Sequence, residues 1–213
     1  MSDVNSVALP TVRRLPLMLR HIQEHIAAGD GFVSSSLLAK ELQMDPILVR
    51  KALAATGVVG IPRLGFPARE LERSILAFLG WDSMTDAVLC GVGNMGRALL
   101  GYQGFEQYGL RIVAAFDIDP DLIGKRINRI EVHAMRRMKQ LIQKMTVRIG
   151  ILTVPADVAQ AVVDAMISAG ICGVWNFTPS KLIVPDGVVV QRVDLASSLA
   201  VLSHKLAALS AKQ

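Results

Sequence analysis

Along the first eighty residues the apolar positions recur at helical spacing, and short polar turns cut them into pieces. Leu15, Met18, Leu19, Ile22 and Ile26 mark one face of a helix that Gly29-Asp30-Gly31 ends. Ser34, Ser35 and Ser36 offer N-caps for a second short helix carrying Leu37, Leu38 and Leu42. Asp45-Pro46 reads as N-cap and first turn of a third helix, about 46–55, because proline's missing N–H costs nothing there. Gly57 stops it. Val58, Val59, Ile61 and Phe66, spaced by Gly60, Pro62 and Gly65, then predict a short hairpin, or wing. The pattern from Leu15 to Phe66 is that of a winged helix-turn-helix. A further helix, with Leu71, Ile75 and Leu79 inside and Gly80 at its end, looks like a connector and puts the domain junction within 68–86.

Beyond it the period changes. An apolar run, Asp86–Cys90, enters Gly91-Val92-Gly93-Asn94-Met95-Gly96, and a helix-compatible segment follows. Arg111–Phe116 is a second strand, closed by Asp117, which lies 21 residues beyond Gly96. Val147–Val154 and Ile171–Trp175 are further strands on either side of a helical stretch, 155–168. Strand alternating with helix predicts an α/β unit: a Rossmann, doubly wound parallel sheet with right-handed crossovers. Leu195, Leu199, Leu202, Leu206 and Leu209 then repeat at spacings of four and three along a terminal helix. Such a stripe is a packing seam, which either closes the protein's own sheet or docks on a second subunit. The expected organisation is a DNA-binding type domain at 1–80, a Rossmann domain at 81–192 and a terminal dimerisation helix at 193–213.

The glycine spacing has specific chemistry. Gly91 allows the tight turn, Gly93 lets the backbone approach a pyrophosphate, and Gly96 lets the following helix pack close. The helix N-terminus then offers free N–H groups to phosphate. Asp117 is placed to accept hydrogen bonds from adenine-ribose hydroxyls. It would repel a 2′-phosphate, and Ile118-Asp119-Pro120 supplies no cation, so NAD(H) is favoured over NADP(H). The loops at Thr153-Val154-Pro155 and Asn176-Phe177-Thr178 end later strands and should face the same crevice.

Composition narrows the function classes. Of 213 residues 52% are hydrophobic and 19% charged, which argues against disorder. The longest uncharged stretch is the 16 residues Ala165–Ser180, short of a membrane span, and no secretory signal is visible, so a cytoplasmic protein without membrane contact is expected. Cys90 and Cys172 lie far apart without a CxxC spacing, so no metal site is read and both are expected as buried structural thiols. The net charge of +5 is spread evenly, nine Lys/Arg against seven Asp/Glu in residues 1–80 and fourteen against eleven after them. It permits nucleic-acid binding without demanding it, and the third helix with Arg50 and Lys51 reads as well as a solvated protein-interaction face. The basic run from Arg129 through Arg136, Arg137, Lys139 and Lys144 to Arg148 is read as one solvated helix face. The four histidines, His21, His25, His133 and His204, fall on or next to predicted helices, none at a strand end. About 130 residues follow Gly80, too few for the substrate domain of a dehydrogenase, so no enzyme is expected.

Taken in order, these pieces resemble the Rex family of redox-sensing transcriptional repressors over nearly the whole chain. The similar stretches are RRLPLMLRHI, SSSLLAKELQ, LVRKAL, GVGNMGRALLGYQGF, AAFDIDPDLIGKRI, ILTVPADVAQAVVDAMISAGICGVWNFTP and VDLASSLAVLSHKL. The resemblance implies a winged helix joined to a Rossmann domain, in a homodimer whose C-terminal helices are domain-swapped. It implies a repressor that binds double-stranded operator DNA when NADH is low and is released by NADH. It makes Gly91, Gly93, Asn94, Met95 and Gly96 the pyrophosphate turn, Tyr102 a sensor of the reduced cofactor and Asp117 the ribose-binding acid. Thr153, Val154, Pro155, Asn176 and Phe177 become the loops around adenine and nicotinamide. Arg20 and Asp194 become a pair formed across the dimer that reports the ligand state. Ser34, Ser35, Arg50, Lys51 and Arg63 are the expected DNA contacts. Where the family usually reads RKDLSYFGEFGKRGVGY, this chain has RKALAATGVVGIPRLGF at 50–66. Ala52 replaces the acid and Ile61-Pro62 the wing's basic pair, which predicts fewer phosphate contacts and a weaker salt dependence. The rival expectation is a Rex-like NAD(H)-binding adaptor that has lost operator recognition and acts through protein partners.

Overall fold

Helix capping sets the first half of the chain. The computed structural model describes residues 7–210, and the chain divides into two units, Met1–Ser83 and Met84–Gln213. In the first unit α1 (Leu9–Val12) and α2 (Leu15–Ala27) lead into β1 (Phe32–Val33), followed by α3 (Ser35–Glu41) and α4 (Pro46–Ala54). Ser34 caps α3, its Oγ accepting from the Leu37 N–H at 3.1 Å. Asp45 caps α4, accepting from the Ile47 N–H at 2.7 Å, with Pro46 at the first helical position. Leu15, Met18, Leu19 and Ile22 of α2 are fully or almost fully buried against Leu38, Val49 and Leu53. Each such side chain contributes about 1.5–3 kcal/mol of burial.

Three features differ from the sequence pattern. First, the helix read as a connector, α5 (Ala68–Leu79), belongs to this core: Ala68, Leu71 and Ile75 are buried with the α2 residues. Second, the wing is not a hairpin of its own. Phe66, in β2 (Phe66–Pro67), pairs antiparallel with Val33 of β1, thirty-three residues upstream, and the wing's own ladder shrinks to one bridge between Ile61 and Gly65. Third, Ala52 is fully buried beside Val49 and Leu53. Positions 49, 52 and 53 share one helix face, so the residue at 52 faces the core and is no surface contact.

His25, near the end of α2, is held at both ring nitrogens. Nδ1 lies 2.7 Å from Asp30 Oδ2 and Nε2 lies 3.1 Å from Glu41 Oε1 on α3. A neutral imidazole donates only one hydrogen bond, so two carboxylate partners favour the imidazolium. The Asp30 hydrogen bond first, and Glu41 with it, hold the pKa of His25 above its ordinary value.

The second unit is built on a seven-stranded sheet. Its strands are β3 (Thr85–Cys90), β4 (Leu110–Asp117), β5 (Arg126–Ile127), β6 (Ile130–Ala134), β7 (Ile149–Leu152), β8 (Gly173–Asn176) and β9 (Val189–Arg192). They lie in the order β5-β6-β4-β3-β7-β8-β9, all parallel except β5. Without β5 this is the doubly wound order 3-2-1-4-5-6. α6 (Asn94–Leu100), α7 (Met138–Met145) and α8 (Ala159–Ala169) alternate with strands, and α9 (Leu195–Ser210) ends the described chain. Val88, Cys90, Phe116 and Leu152 pack on one face of the sheet with Met138 and Met166, while Leu89, Ala115 and Ile151 pack on the other with Leu100. Alternate residues of one strand thus serve opposite faces.

Further expectations are corrected here. The basic run is broken into a turn at Arg129, a 3-10 turn at Met135–Arg137, α7 and a loop at Arg148. His133 sits on β6, one residue before its C-terminal end, with its ring centroid 5.9 Å from that of Phe116. Cys90 is buried, and burial raises its pKa far above the usual thiol range. Cys172 is only half-buried and accepts a hydrogen bond from Arg148 Nε at 3.2 Å. No described helix is long and apolar enough to cross a membrane.

Candidate functional site

The strand order reverses between β3 and β7, and the glycine turn stands there. Gly91 follows β3 with φ +94°, and a Cβ on it would lie 2.7 Å from the Thr153 carbonyl oxygen at the end of β7. No L side chain fits that backbone approach. Thr153 closes the junction from the other side: its Oγ1 donates to Gly91 O at 2.7 Å and Cys90 O at 3.0 Å. At Gly96 a Cβ would collide with the Gly91 carbonyl oxygen, so α6 seats directly on the turn. A Cβ on Gly93 would meet nothing within 4 Å, and Asn94 and Met95 are exposed beside it. The turn is crowded where it meets the sheet and open where a ligand would approach.

Asp117 ends the neighbouring strand β4 and reaches back to this turn. Its Oδ2 accepts from the Val92 N–H at 2.5 Å, and its Oδ1 accepts from the Ile118 and Asp119 N–H groups at 2.7 and 2.9 Å. A carboxylate has about four acceptor positions and three are taken, so one is left for a further donor such as a hydroxyl. Arg97, to which the glycine spacing assigns no role although it directly follows Gly96, donates from Nε to Val92 O at 3.1 Å. The turn is therefore held by an acid and by a cation. These are groups that suit a dinucleotide: an open glycine backbone for pyrophosphate and a half-buried acid for ribose.

The remaining loop residues divide into exposed and structural ones. Val154 is half-buried and Pro155 exposed. Asn176 is almost fully buried and spent on its own loop, its Nδ2 donating to Ser180 O at 3.0 Å and its Oδ1 accepting from the Thr178 N–H at 2.8 Å. Phe177 belongs to a row of rings. Tyr102–Phe105, Phe105–Trp175 and Trp175–Phe177 have centroids 4.8, 5.5 and 5.0 Å apart. The tyrosine ring lies where any Cβ on Gly104 would be, and it is half exposed beside a cavity of about 810 Å³ that Arg111 and Arg129 also line. Nothing local in the sequence signals the contact of Phe105 with Trp175, two rings seventy residues apart.

In the first unit Arg50 and Lys51 are exposed on α4, Arg63 is exposed at the wing, and Ser34 is engaged as the α3 cap with Ser35 opening the helix. Asp194 caps α9, accepting from the Ala196 and Ser197 N–H groups at 3.1 and 3.3 Å and from Ser197 Oγ at 2.9 Å. The Ser197 hydroxyl and backbone hold its pKa below the ordinary carboxylate value. Among the described residues no group of three or more His, Cys, Asp and Glu is placed to hold a metal ion.

Fold and turn together define a two-unit winged helix–Rossmann protein. Residues 82–180 match the model of a family described as "CoA binding domain", and residues 6–53 match one described as "Putative DNA-binding protein N-terminus". The redox-sensing transcriptional repressor Rex of Treponema denticola is 44% identical over 195 residues, 92% of this chain and 93% of that one. The chain of RSP, solved in complex with beta-NAD+ and operator DNA, matches with a TM-score of 0.88 at 33% identity, over 94% of this chain and 92% of that one. The RSP complex with beta-NADH matches at 0.84 and 32%, over 94% of both chains. The chain belongs to the Rex family of redox-sensing transcriptional repressors, which are regulators and not enzymes.

Proposed function

We propose that this chain is a homodimeric repressor of the cytoplasm that binds operator DNA when NADH is low and is released by NADH. The observation that carries the reading is the open glycine turn at the switch point, held by Asp117, in a chain that also presents a capped helix-turn-helix. Residues 1–80, 81–192 and 193–213 serve as the DNA-binding, NAD(H)-binding and dimerisation parts. The cofactor would lie along Gly91, Gly93, Asn94, Met95 and Gly96, with its adenine ribose on Asp117. Tyr102 and Phe177, at the two ends of the ring row, together with Thr153, Val154 and Pro155, would surround the bases. Asn176 serves by shaping its loop, because both ends of its amide are occupied.

The chemistry is binding and no bond is made or broken. Operator and NADH favour different arrangements of the dimer, so each weakens the other by the same factor. Arg50, Lys51 and Arg63 would meet DNA, with Ser34 and Ser35 at the start of α3 near the phosphates. Arg20 and Asp194 would pair across the dimer and report which arrangement holds. The adaptor reading has no observation in its favour beyond the altered wing. Selection of duplexes from a random library, repeated with and without NADH, tests the proposal. An enriched palindrome lost on adding NADH is expected, and no enrichment would overturn it.

A further inference from the structure

The chain that presents Arg50 and Lys51 on α4 runs on into an apolar tip. Val59, Ile61 and Leu64 are 81, 42 and 56% exposed, and Pro62 and Arg63 between them are exposed as well. The tip is nevertheless firmly built. The Ile61 N–H donates to Gly65 O at 2.7 Å, and the Gly65 and Leu64 N–H groups return to Ile61 O at 2.9 and 3.2 Å. This closure holds Arg63 at φ +69°, a left-handed conformation that side chains other than glycine rarely adopt. Gly65, at φ +101°, lets the wing lie against β1, where a Cβ would stand 2.7 Å from the Val33 carbonyl oxygen. Val58 is buried at the wing's start. A tip fixed in this way loses little conformational entropy when it binds.

Charge decides what it binds. From Pro46 to Ala68 the chain carries three cations, Arg50, Lys51 and Arg63, and no carboxylate. The acid just before, Asp45, is occupied as the α4 cap. A partner for this face must be anionic around an apolar slot. A DNA duplex fits, with phosphates along the groove edges and a base stack that apolar side chains can part from the minor groove. We infer that the wing of this chain acts as an apolar wedge, Ile61 and Leu64 entering the minor groove at a pyrimidine–purine step and kinking it, with Arg63 in the groove beside them. The inference rests on the repressor reading above and adds how that repressor reads its site. Pyrimidine–purine steps part most easily, so the preference would fall on base pairs that no polar side chain touches.

The test uses the full-length protein and a palindromic duplex that it has itself selected, carrying 2-aminopurine at its TA or CA steps. Binding is expected to raise 2-aminopurine fluorescence and to bend the duplex in a phased-bend gel assay. Leu64→Ala with Ile61→Ala should abolish both signals while Arg50 and Lys51 still give measurable binding. Leu64→Lys should restore affinity without the fluorescence rise and steepen the log–log salt slope by about 1. All these side chains are exposed, so an unchanged melting curve is the folding control. Wild-type binding with neither bend nor fluorescence rise overturns the wedge and leaves the repressor reading standing. Failure to select any duplex, as for a face that docks on an acidic protein, overturns both.

Discussion

Asp117 Oδ2 accepts a hydrogen bond from the Val92 N–H at 2.5 Å, so the acid that ends β4 also fastens the glycine turn that ends β3. One side chain thus shapes the glycine turn and, in the proposed function, is the one that would meet the ribose. NADH is expected to bind ~10–100-fold more tightly than NADPH, the range set by losing one hydrogen bond to a charged group. Asp117→Ala should narrow that gap and weaken both nucleotides, since Val92 loses its tether. Isothermal titration with the two cofactors measures it, and equal wild-type affinities would remove Asp117 from its assigned role.

The terminal helix exposes Leu195, Leu199, Leu202, Leu206 and Leu209, and no residue of α9 is buried. An apolar stripe of this length is covered in a stable protein. Replacing Leu199 and Leu202 with Glu should give monomers or aggregates in light scattering where the wild type gives dimers. A monomeric wild type would contradict the dimer.

At the recognition helix, Arg50→Ala or Lys51→Ala should lower the log–log salt slope of operator binding by about 1 if the lost contact is to phosphate. Restoring the family's acid in place of Ala52 should not help. That position is fully buried, and an uncompensated buried charge costs on the order of 3–5 kcal/mol, so Ala52→Asp is expected to lower the melting temperature sharply.

His25 gives the first unit a pH dependence with a definite sign. Its pKa is raised in the fold, by Asp30 first and then Glu41, so its contribution is complete below the ordinary histidine value and is lost as pH climbs through the raised one. His21 faces the same cluster, 3.3 Å from Glu24 and 3.6 Å from Glu41. Melting followed from pH 6 to 9 should show this loss in the wild type and a flatter profile in His25→Gln. The substitution should cost about 0.2–1 kcal/mol at pH 6, the usual worth of such a surface pair.

The sequence carried the elements whose evidence is local. Ser34 and Asp45 announce their helices, and the spacing from Gly91 through Gly96 to Asp117 announces the sheet's switch point. What it hid depends on distant pairing. Phe66 joins Val33 across an intervening helix-turn-helix, and Phe105 meets Trp175 across four intervening strands of sequence. The burial of Ala52 was within reach, because Val49 and Leu53 share its helix face. The engagement of Asn176 and Asp194 in backbone capping was not, since either amide or acid could equally have faced a ligand.

The sheet's last strand gives α9 a second meaning. β9 pairs with β8 on one side and lies at the end of the sheet, with Val189 exposed, and α9 begins three residues after it. An open strand edge next to an uncovered leucine stripe is an invitation to faulty association. A newly made chain carries the bare stripe beside that edge until a second copy covers the leucines, so subunit pairing doubles as protection against aggregation. Its apparent stability must then rise with its own concentration, as mass action requires of any fold completed by a second copy. A cell that makes little of this regulator would hold less than a proportional share of it in working form.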